Sequence, residues 1–325
     1  MPNVLISDYP WPDLDLEREI LAPAGLTLVA GPARSSPAEA IEALTLAHDP
    51  VAIMSCWARV SRQAIANAPS LRHIARLGVG LDNIDVEAAS AQGVMVTNVP
   101  DYCTEEVSDH AVALVMAWAR GLIPLDRRVK DGVWEPGVSG LHRMHHLVCG
   151  IVGYGRIGRR AAEKLSGFGT RVLASGRAPI ADPGAGVEAV SFDALIAASD
   201  AVIVCAPLTE ATHHLFDDRR LARMKPGAFL VNVTRGGLID SEALVRALDA
   251  GHLSGAGLDV VEDEPNPLLA LTQRADVIVT PHVAYASASS VRELRARVAE
   301  EIVRVHRGEP PQQPCNPPAW AAVRR

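Results

Sequence analysis

Residues 147–165 read LVCGIVGYGRIGRRAAEKL. The segment opens with a short apolar run, 147–152, which is typical of a buried strand. Residues 159–165 have helix-forming composition, with apolar residues at helical spacing. Between them lies the pattern Gly-x-Gly-x-x-Gly, at Gly153, Gly155 and Gly158. A glycine turn that joins a strand to a helix is the context in which this pattern indicates a dinucleotide-binding site.

Each glycine has a separate task in such a turn. The first permits the tight turn, the second lets the backbone approach a pyrophosphate, and the third lets the helix pack on the strand. The N-terminus of the helix then offers unpaired N–H groups and the positive end of its dipole to the phosphates. A glycine-rich turn without a ligand is the alternative, and the rest of the chain argues against it.

Short apolar runs alternate with helical stretches along almost the whole chain. The runs cover residues 4–6, 26–29, 51–54, 74–77 and 94–97, then 147–152, 172–174, 201–206, 229–233, 256–260 and 277–280. Such alternation is typical of parallel sheets covered by helices on both faces. Five strands followed by six predict two doubly wound α/β units. We also expect a long helix over about 104–130, beginning near Thr104, and a final helix over about 287–306.

Composition excludes several classes of function. The chain has 325 residues and a net charge of −7, which gives no basic field for nucleic acid. The most apolar segment, 111–122, is too short to span a bilayer, and Asp8 precedes any long apolar core of a secretory leader. The five cysteines have no metal-ligand spacing, so we expect free thiols, a cytoplasmic location and no metal.

Four polar segments follow predicted strands, at the edge where open α/β sheets bind ligands. They are residues 205–209, 232–237, 258–265 and 280–284. An arginine, an acidic cluster and a histidine therefore arrive at the ends of successive strands. Arginine suits a carboxylate because its planar guanidinium binds bidentately, and histidine suits a carbonyl–alcohol interconversion because its pKa lies near neutral pH.

With these segments in view, the chain resembles the D-isomer-specific 2-hydroxyacid dehydrogenase family over nearly its whole length. The matching segments are 78–85, 98–100 with 105–107, 150–158, 206–209, 232–237, 259–265 and 280–282. The resemblance implies a Rossmann NAD(P)-binding domain over 99–286. It also implies a discontinuous, flavodoxin-like substrate domain, which combines 1–98 with 287–325, and a homodimer.

The resemblance further implies a catalytic set of Arg235, Glu264 and His282. Arg235 would hold a 2-oxo acid by its carboxylate and carbonyl oxygen. His282, as imidazolium, would protonate that oxygen as a hydride reaches the carbon, while Glu264 orients the ring and favours its charged form. The backbone N–H groups of Val79 and Gly80 would bind the carboxylate.

Cofactor contacts are expected from the glycine turn and from the strand ends that follow it. The residues are Gly153, Tyr154, Gly155, Arg156, Ile157, Gly158, Ser175, Arg177, Ala206, Pro207, Thr212, Val233, Thr234, Arg235, Asp259, His282 and Ala284.

The residues after the second strand of this domain bear on the choice of cofactor. An NAD-specific site places an acidic residue there to bind the ribose 2′-OH. In this chain Gly176 stands at the position of that acidic residue, and it is flanked by Ser175 and Arg177. This arrangement favours NADP(H), because no carboxylate repels a 2′-phosphate. The alternative is that Arg177 stacks on the adenine of an enzyme that accepts NADH.

The function predicted is NAD(P)H-dependent reduction of a small 2-oxo acid such as glyoxylate or hydroxypyruvate. Two alternatives share the fold: a dinucleotide-sensing interaction protein like the C-terminal-binding proteins, and a phosphite-type dehydrogenase. Residues expected to set the size of the substrate are Met54, Ser55, Cys56, Trp57, Tyr102 and Tyr285. The histidines of the loop before residue 147, His142, His145 and His146, are interpreted as surface residues.

Overall fold

The computed structural model describes residues 1–33, 36–137 and 139–316, and the chain divides into two units. Unit 1 combines Met1–Tyr102 with Ser287–Arg325, and unit 2 is Cys103–Ala286. The expected domain boundary follows residue 98, whereas the division between the two units follows residue 102. The end of the expected 287–325 segment, from residue 317 onward, lies outside the described residues.

Unit 1 contains a five-stranded sheet in which every pairing is parallel. Its strands are β1 (Asn3–Ile6), β2 (Thr27–Ala30), β3 (Ala52–Ser55), β4 (His73–Arg76) and β5 (Met95–Thr97). Their order is β2-β1-β3-β4-β5, which is the flavodoxin-like order. The helices are α1 (Asp15–Leu21), α2 (Ala38–His48), α3 (Arg62–Ala66), α4 (Val86–Ala91) and, from the second segment of the unit, a long helix at Ala288–His306.

Unit 2 contains a parallel sheet of seven strands rather than the six expected. They are β6 (Val148–Val152), β7 (Arg171–Ser175), β8 (Val187–Ala189), β9 (Ala201–Val204), β10 (Ala228–Asn232), β11 (Leu253–Leu258) and β12 (Val277–Val279). Their order is β12-β11-β10-β9-β6-β7-β8. Order reverses between β6 and β9, and ligands of open α/β sheets bind at such a switch point. The prediction of two doubly wound parallel sheets is confirmed.

The helices of unit 2 correct one expectation. They are α5 (Thr104–Ala119), α6 (Leu122–Lys130), α7 (Arg156–Gly167), α8 (Phe192–Ala198), α9 (Asp218–Leu221), α10 (Ser241–Asp249) and α11 (Leu269–Thr272), and the long helix of unit 1 is α12. The single helix expected over 104–130 is two helices, because Gly121 is left-handed (φ 61°). Pro124 explains the break, since its ring would collide with the carbonyl of Arg120 in a continuous helix.

The cores follow from the strand sequences. The central strands β6, β9 and β10 are almost completely buried, as expected for parallel strands with both faces covered. The five cysteines, Cys56, Cys103, Cys149, Cys205 and Cys315, form no disulfide. Among the described residues, no helix is both long enough and apolar enough to cross a bilayer.

Candidate active site

The glycine turn lies between β6 and α7, at the switch point of the unit 2 sheet. Gly153 has φ 96°, and a Cβ there would lie 2.5 Å from the backbone nitrogen of Ala206. A Cβ on Gly158 would lie 2.2 Å from the carbonyl oxygen of Gly153. A Cβ on Gly155 would meet nothing within 4 Å. Two glycines therefore permit close packing, whereas the middle one borders open space at the N-terminus of α7. This geometry fits a dinucleotide pyrophosphate.

Side chains of the turn hold the loop that follows β7. The Tyr154 hydroxyl donates a hydrogen bond to the carbonyl of Pro183, and the Arg159 guanidinium lies 4.6 Å from the centre of the Tyr154 ring. Arg159 also donates to the carbonyl of Asp182 over 2.9 Å. Arg156, at the start of α7, is exposed. The loop from 176 to 186 is therefore held to the glycine turn by hydrogen bonds from Tyr154 and Arg159.

The end of β7 carries the residues expected near the ribose. Ser175 is buried (7% exposed), and Arg177 is exposed. Within the described residues Arg177 forms no hydrogen bond or ion pair. The described positions directly after the strand, 176 and 177, contain no acidic side chain.

Thr212 closes the turn that follows β9. Its hydroxyl donates to the carbonyl of Pro207 over 2.7 Å and accepts from the backbone N–H of Thr209 over 2.8 Å. Ala206 is buried (8% exposed) and packs against Gly153. The segment 206–212 is thereby fixed beside the glycine turn.

Arg235 follows β10 in a turn organised by Asn232. The Asn232 side chain accepts from the N–H and the hydroxyl of Thr234 and donates to the carbonyl of Arg235 over 2.8 Å. A guanidinium nitrogen of Arg235 donates to the carbonyl of Thr234 over 2.8 Å. A Cβ on Gly236 would lie 2.0 Å from the carbonyl of Val261. Glycine at 236 therefore lets this turn contact the loop after β11.

Glu264 and His282 form a hydrogen-bonded pair, although they are 18 residues apart. The Nδ1 atom of His282 lies 2.8 Å from Oε2 of Glu264, and Oε1 of Glu264 accepts from the N–H of Val261 over 3.0 Å. Partial burial acts to raise the pKa of Glu264. The hydrogen bond and charge of His282, the bond from Val261 and the charge of Arg235 outweigh it and lower that pKa. Glu264 is thus a carboxylate at neutral pH, and it can hold a proton on the neighbouring imidazole nitrogen.

Asp259 holds the segment that carries His282. Its carboxylate is buried (2% exposed) and accepts from the Thr280 hydroxyl over 2.6 Å and from the N–H groups of Val283 and Ala284 over 2.9 Å each. Its carbonyl accepts from the N–H of His282 over 2.8 Å. Asp259 and Ala284 were expected to contact cofactor. The structure shows them bonded to each other, and a cofactor contact by either stays a prediction.

The loop that carries Val79 and Gly80 lies at the end of β4 in unit 1. Arg76 is buried (8% exposed) and donates to the carbonyls of Gly80, Ser55 and Leu77. The carbonyl of Val79 accepts from the side chain of Asn98 over 2.7 Å. These hydrogen bonds hold the loop that carries the backbone N–H groups of Val79 and Gly80. The Val79 residue is 38% exposed.

The residues expected to set substrate size differ in accessibility. Four of them are buried: Met54, Ser55, Cys56 and Tyr102. Trp57 and Tyr285 are partly exposed. A substrate contact by any of these six side chains stays a prediction.

Sequence reasoning missed two groups of polar residues in unit 2. His110 of α5 lies with its Nε2 atom 2.9 Å from the Thr280 hydroxyl. His214 lies with its Nε2 atom 2.7 Å from Oε1 of Glu262. Helical spacing marks His110 as facing the unit's interior, but no pattern links it to position 280. In the loop before β6, His145 and His146 are exposed, and His142 stacks on Trp118 with ring centres 4.5 Å apart.

Comparison with known proteins shows the family of the chain. The model of the family described as D-isomer specific 2-hydroxyacid dehydrogenase, NAD binding domain, matches residues 112–284. A glyoxylate reductase from Thermococcus litoralis is 36% identical over 267 residues, which are 79% of this chain and 81% of the relative.

Two solved structures are similar over nearly their whole length. An NADPH-dependent glyoxylate/hydroxypyruvate reductase from Sinorhizobium meliloti, in complex with NADP and malonate, has a TM-score of 0.86 at 31% identity, covering 100% of this chain and 99% of that one. A D-lactate dehydrogenase from Aquifex aeolicus, complexed with NAD and lactic acid, has a TM-score of 0.86 at 28% identity, covering 94% and 96%. The chain therefore belongs to the D-isomer specific 2-hydroxyacid dehydrogenase family, and it is an oxidoreductase that acts on CH–OH groups with a nicotinamide dinucleotide.

Proposed function

We propose that this protein reduces a small 2-oxo acid, such as glyoxylate or hydroxypyruvate, with His282 as the proton donor and NADPH as the preferred cofactor. The observation that carries the proposal is the hydrogen bond between His282 and Glu264, 2.8 Å long, on the segment fixed by Asp259. A carboxylate that binds one imidazole nitrogen fixes the ring's orientation and leaves the other nitrogen to exchange a proton with substrate.

The roles of the residues follow from their chemistry. When bound, the reduced nicotinamide supplies a hydride to the carbonyl carbon. His282 Nε2 donates its proton to the carbonyl oxygen, so the 2-oxo acid gains a hydride and a proton and becomes a 2-hydroxy acid. Arg235 binds the substrate carboxylate and the carbonyl oxygen, and it stabilises the negative charge that develops on that oxygen.

The first test is turnover with matched histidine variants. We expect the purified chain to oxidise NADPH in the presence of glyoxylate or hydroxypyruvate. His282→Ala and Arg235→Ala should each lower kcat by at least about a hundredfold, the effect typical of losing a general acid or a charged substrate contact. Cofactor binding, followed by fluorescence titration, should persist. His146→Gln, at an exposed position, is the control and should keep the wild-type rate. Wild-type turnover by His282→Ala would overturn the proposed mechanism.

The preference for NADPH is supported by the end of β7, where Arg177 is exposed and no carboxylate is present at 176 or 177. Guanidinium groups bind phosphate bidentately, so Arg177 suits the 2′-phosphate, with the Ser175 hydroxyl beside it. Arg177→Ala should raise KM for NADPH about tenfold or more and leave KM for NADH nearly unchanged. Arg171→Ala, at the other end of the same strand, is the control. Equal changes for both cofactors in Arg177→Ala would refute the assignment.

A homodimer and a cytoplasmic location complete the proposal. Three large apolar side chains of α6 are exposed, namely Leu122, Ile123 and Val129, and a second copy of the chain is one partner that would cover them. Five cysteines without a disulfide suit a reducing compartment. Light scattering should give twice the mass of one chain, and Ile123→Glu should give the single mass.

A further inference from the structure

Two consecutive histidines and a glutamate come together in unit 2, outside the set assigned to catalysis or cofactor. His213 and His214 follow the short 3-10 turn Glu210–Thr212, and Glu262 lies in the loop after β11. One ligand atom from each residue lies within 4.8 Å of the other two. The nearest pair is His214 Nε2 and Glu262 Oε1, at 2.7 Å. Two imidazoles and a carboxylate thus meet from two separate loops.

The backbone explains why neighbouring histidines meet instead of pointing apart. In an extended chain, successive side chains point to opposite faces. Here His213 is extended, but His214 has φ 49°, in the left-handed region. The turn brings the two rings into a stack with centres 4.0 Å apart. A hydrogen bond of 2.8 Å from the N–H of His214 to the carbonyl of Gly237 holds this conformation.

A second carboxylate lies behind His214. Its Nδ1 atom is 3.9 Å from Oδ2 of Asp240, while Nε2 faces Glu262. Metal-bound histidines commonly present their other ring nitrogen to a carboxylate, which fixes the tautomer and the ring orientation. Oε2 of Glu262 accepts from the N–H of Ser241 over 2.8 Å, so Oε1 is directed at the imidazoles.

Glu262 contributes a carboxylate oxygen and the two histidines contribute ring nitrogens, so the cluster offers one oxygen ligand and two nitrogen ligands.

We propose that His213, His214 and Glu262 form a binding site for a divalent transition metal of the Zn²⁺ type. Imidazole and carboxylate are ligands that Zn²⁺ binds at 2.0–2.2 Å, which separates ligand atoms in a tetrahedral site by about 3.4 Å. The His214–Glu262 pair opens slightly and the exposed His213 ring rotates inward. Metal binding through Nε2 of His214 requires the ring proton to be on Nδ1, which faces Asp240. Water completes the coordination. Mg²⁺ and Ca²⁺ prefer oxygen ligands and are not expected to bind.

The test is calorimetric titration of the EDTA-treated chain with ZnCl₂. His213→Ala is the principal variant because this ring is exposed and stacks on His214. We expect a zinc site in the wild type that weakens at least tenfold in His213→Ala and in Glu262→Gln. His145→Ala is the matched control, since His145 and His146 form a second pair of neighbouring histidines, with ring centres 5.8 Å apart.

Cobalt supplies an independent readout. Co²⁺ bound by two imidazoles and a carboxylate gives visible absorption bands, which should be present in the wild type and in His145→Ala and lost in His213→Ala. Equal zinc affinity of the wild type and His213→Ala, or loss of the site in His145→Ala, would overturn the proposal. These measurements do not use turnover, so they stand apart from the test of the reductase function.

Discussion

Replacing Asp259 by asparagine probes how the His282 segment is held. The Asp259 carboxylate accepts from the Thr280 hydroxyl and from the N–H groups of Val283 and Ala284. An asparagine of the same shape has one acceptor oxygen, so its NH₂ group must face at least one of these donors. Losing one hydrogen bond to a charged acceptor costs about 2 kcal/mol.

That cost falls on the conformation that places His282. If the whole of it opposes the productive arrangement, kcat falls about 30-fold, since each 1.36 kcal/mol is a factor of ten. The assay is steady-state kinetics with a 2-oxo acid, combined with hydrogen exchange at the amides of Val283 and Ala284, which should become less protected. Asp249→Asn, an exposed partner of Arg274, is the control.

A different pattern would refute this reasoning. If Asp259→Asn keeps kcat within twofold and raises only KM for the cofactor, Asp259 acts through the cofactor and not by holding the His282 segment. Unchanged amide protection at 283 and 284 would lead to the same conclusion.

Three further predictions concern stability and the glycine turn. His73 is completely buried, and burial lowers its pKa to about 3, so the unfolded chain alone takes up this proton below pH 6.5. Unit 1 should therefore lose about 2 kcal/mol of stability between pH 7 and pH 5. Hydrogen exchange across the unit 1 sheet should show that this loss vanishes in His73→Leu but persists in His146→Gln. Arg295→Leu leaves the carboxylate of Glu17 (side chain 0% exposed) without its bidentate partner. The substitution should destabilise unit 1 by about 3–5 kcal/mol in denaturant titrations. A change under about 1 kcal/mol would mean that water reaches Glu17. Gly158→Ala places a Cβ 2.2 Å from a backbone oxygen and should weaken cofactor binding at least tenfold in fluorescence titrations; wild-type affinity would show that the turn relaxes freely.

Strands buried on both faces were the most predictable part of the fold. The runs expected at 201–206 and 229–233 correspond to β9 (Ala201–Val204) and β10 (Ala228–Asn232), because such strands are nearly continuous apolar runs. The strand β8 (Val187–Ala189) was missed, since it is a largely exposed edge strand with a glutamate at its centre. The break at Gly121 was missed because the apolar pattern continues across it.

The site was predictable only in part. Because ligands of open α/β sheets bind at the carboxyl ends of the strands, the sequence predicted that Arg235 and His282 lie at one edge of a sheet. The pairing of His282 with Glu264 was inferred from the resemblance to a family. The bonds of Asp259 and the contact of His214 with Glu262 were not foreseen, because they join loops far apart in the chain. Residue spacing carries no information about such contacts.

The cysteines give the native protein a set of internal labels. Burial raises the pKa of the thiols of Cys56 and Cys149 (4% and 0% exposed) to about 12, so only about one molecule in 10⁵ carries each thiolate at pH 7. Alkylating reagents should therefore react with these positions only after local or global opening. Cys56 lies in unit 1, and Cys149 lies in unit 2. Mass spectrometry of timed alkylation would then give the opening rate of each unit separately, in the unmodified chain and without any engineered probe.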